Sequence, residues 1–276
     1  MSLTPRHPPD GSSPASAVRD SLAYSNRAVF ERADVVAEYS DVHSLRPAER
    51  VILDRYRADF DGKDVLDLGV GAGRTAVWLA PHALQYVGVD YSPRMVEECR
   101  QRFPRWRFEC RDARDLTAFG TASFDFVFFS YNGIDYVDHE DRQKLLAEVA
   151  RVLRPGGAFA FSSHNLEVDA QVGWRWAAVF RRRSPAELVQ TLGRLGRSIG
   201  GRLRHSGQQL RTDRYAILND AAHQFGLRTY YVTATEQASQ LKEAGLDGLL
   251  EVLGEDGFPL ASSSSLSDLT RRGSFR

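Results

Sequence analysis

Apolar residues along the chain follow two different spacings. From Ala28 to Phe60 they recur at helical intervals, as Val29, Val35, Val36 and Tyr39 and then Val51, Ile52 and Leu53, with Pro47 just inside the second run. Two helices are expected there. Beyond them, the short runs VLDLG (65–69), YVGVD (86–90), WRFECRD (106–112), FDFVFFS (124–130) and GAFAFSS (157–163) alternate with helical stretches. Several are almost wholly apolar, as suits parallel strands covered by helices on both faces. The alternation predicts right-handed crossovers and a doubly wound α/β fold with a mostly parallel, Rossmann-like sheet, whose ligand site lies beyond the carboxyl ends of the strands.

This rhythm stops after residue 165. Residues 166–232 are expected to form an inserted helical and hairpin lid that builds an acceptor pocket, with Trp174, Trp176, three consecutive arginines from Arg181, and a strand pair in RYAILND and LRTYYVT, whose Asn219, Asp220, His223, Tyr230 and Tyr231 are candidates for the pocket wall, packing against the lid being their other role. A helix in TEQASQLKEAGL, stopped at Gly245, and a strand in LLEVLG then return to the core over 233–261. With no second β-rich run after LLEVLG, either a strand of the inserted pair fills the sheet edge or the sheet ends one strand short. The remaining divisions are a disordered tail over 1–20, helices over 21–60, a ligand-binding core over 61–165 and a second disordered tail over 262–276.

Composition narrows the function only a little. The 36 basic and 36 acidic residues among 276 cancel, so no global field draws the chain to nucleic acid or a membrane. Cys99 and Cys110 stand in no CxxC or Cys/His pattern, which argues against a disulfide framework or metal site and for a cytoplasmic setting. Neutrality breaks locally: from Gln171 to Arg214, ten arginines face only Glu187 and Asp213. A solvated cover over the site is the simplest reading. Sharper ones are an anionic acceptor gripped by arginine and contact of a Trp-bearing helix with an anionic membrane surface. No RNA-binding module accompanies the patch, so nucleic acid is disfavoured as a partner.

The candidate chemistry gathers at strand ends. In VLDLGVGAGRT a strand runs into Gly69, Gly71 and Gly73, which let the backbone turn sharply and a ligand lie against it. Glycine-rich turns of this kind are common, and the motif alone is weak. Its spacing is GxGxG, and Asp67 stands where a dinucleotide fold offers a small apolar residue; a carboxylate there repels a pyrophosphate and suits an ammonium group. Asp90 ends the second strand, seventeen residues beyond Gly73, placed to accept from two ribose hydroxyls. Tyr91 is placed to lie against an adenine face, and Asp112 with Ala113 at the third strand end to meet its exocyclic amine; a solvated strand end is the alternative for Asp112.

VLDLGVGAGRT, VGVDYSPRMVEECR, RDARDL, FDFVFFSYN and RVLRPGGAFAFSS, in this order, resemble the successive motifs of class I S-adenosylmethionine-dependent methyltransferases over residues 60–165. The resemblance implies S-adenosylmethionine as cofactor, with Asp67 and the loop Gly69 to Gly73 at its methionine portion, Asp90 at the ribose, Tyr91, Asp112 and Ala113 at the adenine, and Ser130 near the sulfonium. Tyr39 aligns loosely with an N-terminal tyrosine that covers the cofactor in related enzymes; core packing is its other role. The activity implied is methyl transfer to a small-molecule acceptor by in-line displacement, with oxygen, nitrogen and carbon all open. His164 is the candidate base or acceptor-positioning group, since its ordinary pKa lies near neutrality and a strand end places it at the cleft; a hydrogen-bonded structural histidine is the alternative. Asp135 and Tyr136 are further candidates, with helix capping and loop packing as theirs. The competing functions are an NAD-dependent oxidoreductase and a non-catalytic adenosyl-ligand binding protein.

Overall fold

The computed structural model describes residues 14–41, 44–169, 209–219 and 226–262. Five strands, β1 (Asp64–Leu68), β2 (Gln85–Asp90), β3 (Arg107–Cys110), β4 (Phe124–Phe129) and β5 (Leu153–Phe161), form one sheet in the order β3-β2-β1-β4-β5. All four pairings are parallel. Side chains alternate across a strand, so β1 serves two layers at once. Leu66 and Leu68, with Val87 and Val89, pack against Leu145, Leu146, Val149 and Val152 of the helix α7 (His139–Val152). Val65, Tyr86, Phe126 and Phe128 pack on the other face against Phe60, against Leu79 of the helix α5 (Ala76–Leu79), and against Val96 and Cys99 of the helix α6 (Pro93–Arg102). The strand order reverses between β1 and β4, and a crevice opens there beyond the strand ends.

Four helices precede the sheet where two were expected: α1 (Pro14–Phe30), α2 (Ala33–Ser40), α3 (Pro47–Arg55) and α4 (Arg57–Phe60). Helix α1 begins inside the stretch expected to be a disordered tail. Pro14 stands at its first position, where the missing N–H costs nothing, and Ala15 and Ala17 are good helix formers. Residues 1–13 lie outside the described residues. The fully buried Asn26 ties α1 down: its Nδ2 donates to the carbonyls of Tyr136 (3.1 Å) and Arg228 (2.9 Å), and its Oδ1 accepts from the Arg228 N–H (3.1 Å).

A second sheet stands beyond β5. Two residues after Phe161 the chain forms β6 (His164–Asn165), then α8 (Leu166–Asp169), and the sheet order is β6-β9-β8-β7, with β7 at Leu210–Arg211, β8 at Tyr215–Asn219 and β9 at Arg228–Val232. The expected strand pair is the antiparallel β8/β9 hairpin. Neither strand joins the main sheet; β9 pairs in parallel with β6, which continues the line of β5. Trp174, Trp176, Arg181 to Arg183, Asp220, His223 and the 263–276 tail lie outside the described residues.

One expectation is corrected at the C-terminus. LLEVLG does not supply a strand of the core. After helix α9 (Ala234–Glu243), β10 (Glu251–Leu253) pairs antiparallel with β11 (Pro259–Ser262) as a separate two-stranded sheet. The turn is GEDG, closed by Gly257 N–H to Gly254 O (2.9 Å) and Gly254 N–H to Phe258 O (2.9 Å), with Gly257 at φ +83°. Asp-Gly before an extended run is a hairpin signal. Pro259 and the serines that follow hide the second strand, since proline is tolerated only at such an edge.

Candidate cofactor cleft and catalytic dyad

The glycine loop leaves β1 with Gly69, Gly71 and Gly73 at φ +58°, +55° and +88°. A Cβ on Gly69 would fall 2.5 Å from the Phe129 ring, and one on Gly73 the same distance from Phe103. Those two glycines let the loop sit on aromatic rings. Gly71 faces a cleft, and its N–H donates to Asp90 Oδ2 at 2.9 Å.

That cleft encloses about 740 Å3 of space, the open solvent at its mouth included. Of the residues singled out from sequence, Tyr39, Gly69, Gly71, Asp90, Tyr91, Asp112, Ala113, Ser130 and Tyr136 line it. Asp67, Gly73, Asp135 and His164 are not among its lining residues. Phe30, Met95, Arg111 and Tyr131 also line it, and sequence reading gave them no cofactor role. Phe30 packs on Tyr136 (5.0 Å between ring centroids), Tyr39 (5.9 Å) and Tyr91 (6.2 Å), so α1 and α2 roof the cleft.

Asp90 is buried, and burial pushes its carboxyl up to about 6 although the N–H groups of Ser92 (2.8 Å) and Gly71 hold the charged form. Each oxygen has one such partner, which leaves lone pairs for a ligand's hydroxyls. Asp112 is more committed: Arg114 engages both of its oxygens. Asp67 points beneath the loop, because it shares the strand face of Val65. Its Oδ2 accepts from Thr75 Oγ1 (2.6 Å) and Tyr86 OH (2.8 Å), its Oδ1 has no hydrogen-bond partner among the described residues, and burial pushes its carboxyl up to about 7. Here it braces the turn from below.

The β4 tip is clamped by an ion pair that sequence reading missed. Arg74, next after the glycines, meets Glu49 of α3 through Nη1 (2.5 Å) and Nη2 (2.6 Å), donates to Ser130 Oγ at 3.0 Å and lies over the Tyr131 ring at 4.9 Å. Glu49 also accepts from the Arg46 N–H at 2.7 Å, in capping-box spacing. That spacing, Arg46 to Glu49, was the visible signal.

Tyr131 and Asn132 follow at φ +56° and +59°, a left-handed pair of the kind that costs about 1–3 kcal/mol per residue and concentrates at functional sites. The Asn132 N–H donates to Ser162 Oγ (2.8 Å) and its Nδ2 lies 3.1 Å from His164 Nε2. His164 Nδ1 meets Asp135 Oδ2 at 2.8 Å. Asp135, fully buried, is held in turn by the fully buried Arg142 (2.6 Å). Nothing in the sequence pattern of α7 marked Arg142.

Residues 65–157 match the family model described as Methyltransferase domain. This segment is a methyltransferase domain. Its architecture is the class I methyltransferase fold. A Burkholderia thailandensis 1,6-didemethyltoxoflavin-N1-methyltransferase, solved with bound 1,6-didemethyltoxoflavin and S-adenosylhomocysteine, superposes with a TM-score of 0.53 at 16% identity over 92% of this chain and 90% of that one. An S-adenosylmethionine-dependent methyltransferase of Thermotoga maritima gives 0.51 at 21% identity, over 84% and 88%. In sequence, the chain is 33% identical over 138 residues to the phthiotriol/phenolphthiotriol dimycocerosates methyltransferase of Mycobacterium leprae, 49% of this chain and 48% of that protein. It is 26% identical over 142 residues to the ubiquinone biosynthesis O-methyltransferase of Idiomarina loihiensis, 50% and 57%. The chain thus spans about half the length of the curated relatives it matches, and the matched part of the methyltransferase domain holds the glycine loop, Asp90, Asp112, Ser130 and Asp135, while His164 lies just beyond it. Among the described residues no helix is long and apolar enough to cross a membrane, and no group of three or more His, Cys, Asp or Glu is arranged for a metal ion.

Proposed function

We propose that the chain is an S-adenosylmethionine-dependent methyltransferase acting on a small-molecule acceptor. The observation that carries this reading is the cleft at the sheet's switch point, where Gly71 is bare and Asp90 keeps lone pairs free. The donor set fits the cofactor. Asp90 suits ribose hydroxyls, and the buried Tyr91 hydroxyl, which has no hydrogen-bond partner among the described residues, is a spare polar group in the cleft wall. Ala113 and Asp112 face the adenine end, and Ser130 with the glycine loop the methionine end. When bound, the cofactor supplies an activated methyl group, so the protein's task is alignment and exclusion of water.

The aromatic roof of Phe30, Tyr39 and Tyr136 supports such exclusion. Holding two reactants in line is worth on the order of 7–11 kcal/mol, enough to carry most of the rate enhancement without a strong acid or base. In this reading Asp67 acts on the cofactor indirectly, by bracing the loop. His164 and Asp135 stand beside the cleft as the acceptor-side pair, and Tyr136 shapes the wall. The ten arginines of 171–214, of which Arg211 and Arg214 are described, support an anionic acceptor, and the cytoplasmic setting expected from cysteine usage goes with the same proposal.

Calorimetry tests the reading. The protein should bind S-adenosylmethionine and its demethylated product, Asp90→Ala should abolish both signals, and NAD should give none. Heat with NAD alone would move the assignment to an oxidoreductase. Donor binding with no methyl transfer to any cell-extract metabolite would leave a binding protein.

A further inference from the structure

The Asp135 carboxylate, with none of its surface exposed, accepts four hydrogen bonds: from Arg142 Nη1 (2.6 Å), Ser163 Oγ (2.7 Å), the His164 backbone N–H (2.7 Å) and His164 Nδ1 (2.8 Å). A carboxylate accepts only, so the His164 proton sits on Nδ1 and Nε2 presents a lone pair. The Asn132 amide nitrogen, 3.1 Å from Nε2, donates onto that lone pair, in agreement, and has to give way when an acceptor's O–H takes its place.

Arg142 explains why the carboxylate stays in place. All five of its N–H groups are used: Nε to Gln240 Oε1 (3.1 Å), Nη1 to Ile134 O (3.0 Å) and Asp135, Nη2 to Ser163 Oγ (3.0 Å) and Gln237 Oε1. Among the described residues Asp135 is its one carboxylate partner, so the two charges cancel. A fully desolvated pair of this kind is a poor way to gain stability, since apolar replacements do as well or better. It is a good way to hold one imidazole in one orientation.

The place matters as much as the chemistry. Tyr131 and Gly133, on either side of Asn132, line the cofactor cleft, as does Tyr136, next to Asp135. On its other side the His164 ring lies 5.0 Å from that of Tyr231 in β9, and 19% of its side chain stays exposed. The lone pair stands between the donor cleft and the second sheet.

Among acceptors, a hydroxyl has most need of such a group. A neutral amine attacks with its own lone pair, and a stabilised carbanion has already lost its proton, whereas an alcohol or phenol is a weak nucleophile until its O–H proton is taken. We propose that the acceptor is a hydroxyl compound whose proton passes to His164 Nε2, with Asp135 and Arg142 as positioning residues; this rests on the methyltransferase reading above. The oxygen lone pair forms the new O–CH3 bond, the donor's C–S bonding pair stays on sulfur as a neutral thioether, and the imidazolium, still hydrogen-bonded through Nδ1–H to Asp135, returns its proton to solvent.

Three measurements decide it. Nitrogen-15 NMR of the donor-free protein should show His164 protonated at Nδ1 and bare at Nε2; a ring protonated at Nε2 overturns the proposal. Incubation of the full chain with carbon-13-methyl-labelled S-adenosylmethionine and a metabolite extract should yield a methyl resonance in the O-methyl class, whereas N-methyl or C-methyl product overturns it. His164→Gln should bind the donor within about twofold of the parent and lose about 100- to 10,000-fold in turnover; loss of donor affinity in step with turnover would mark a structural histidine. Should that variant fail to fold, the ring nitrogens and the product linkage still decide. If the parent neither binds the donor nor labels any product, the methyltransferase reading falls first and the hydroxyl proposal with it.

Discussion

Breaking the Glu49–Arg74 pair should loosen the N-terminal helices and the β4 tip together. The two side chains are 7% and 10% exposed, and both guanidinium nitrogens of the fork are engaged. In Glu49→Gln the guanidinium keeps a neutral amide oxygen, the Ser44 carbonyl at 3.3 Å, Ser130 Oγ and the Tyr131 face, so a nearly buried cation loses its counter-ion. Removing one partner of a buried pair costs about 3–5 kcal/mol, because desolvation of the survivor is no longer offset. Arg74→Met strands the carboxylate on the Arg46 N–H and should cost about the same. The double variant leaves no charge stranded and should cost less than the sum of the singles, with a coupling of about 2–3 kcal/mol. Urea denaturation of the four proteins reads this directly, and S-adenosylmethionine affinity should fall in both singles, since Ser130 and Tyr131 line the cleft. Single costs that add to the double within about 0.5 kcal/mol would refute the clamp.

Gly69→Ala combines a φ of +58° with a Cβ 2.5 Å from the Phe129 ring, and should lower stability by about 2–4 kcal/mol and weaken donor binding; unchanged thermal unfolding and affinity would show that the loop has room. Donor affinity should be flat above pH 7 and fall as pH drops through about 6, approaching tenfold per unit, because Asp90 must be ionised to accept from a ribose; a flat calorimetric profile to pH 5 would contradict this role. For the free protein the sign runs the other way. The raised carboxyl of Asp67 contributes stability that is full below about pH 4 and lost as pH rises through about 7, so Asp67→Asn should flatten that part of the urea-derived stability curve.

The main sheet was legible because its strands are buried on both faces, and a run such as FDFVFF cannot hide among helices. The cleft acids were legible because strand ends in such a sheet share one edge. Asp67 was misjudged in direction: its position at a strand tip suggested the ligand, whereas the two-residue repeat puts it on the face of Val65, against Tyr86 and Thr75. The Glu49–Arg74 clamp spans 25 residues and the Arg142–Gln237 contact 95, and no periodicity reports which distant side chains meet. Asp135 looked like a capping residue, and only the fold shows that its carboxylate is saturated by Arg142, Ser163 and His164. The β10/β11 hairpin was missed for a local reason, since proline and serine outweighed the Asp-Gly turn.

The chain leaves β5 at Phe161 and takes up its place in the second sheet at His164, so Ser162 and Ser163 are all that join the two ladders in sequence. Under the proposed function, donor binding falls on one side of this seam and the β7–β9 layer on the other. Selection on acceptor choice can therefore rewrite the outer layer residue by residue while the nucleotide-facing half keeps its backbone. An engineer who wishes to graft a new specificity has a natural splice point, with the imidazole fixed at the joint.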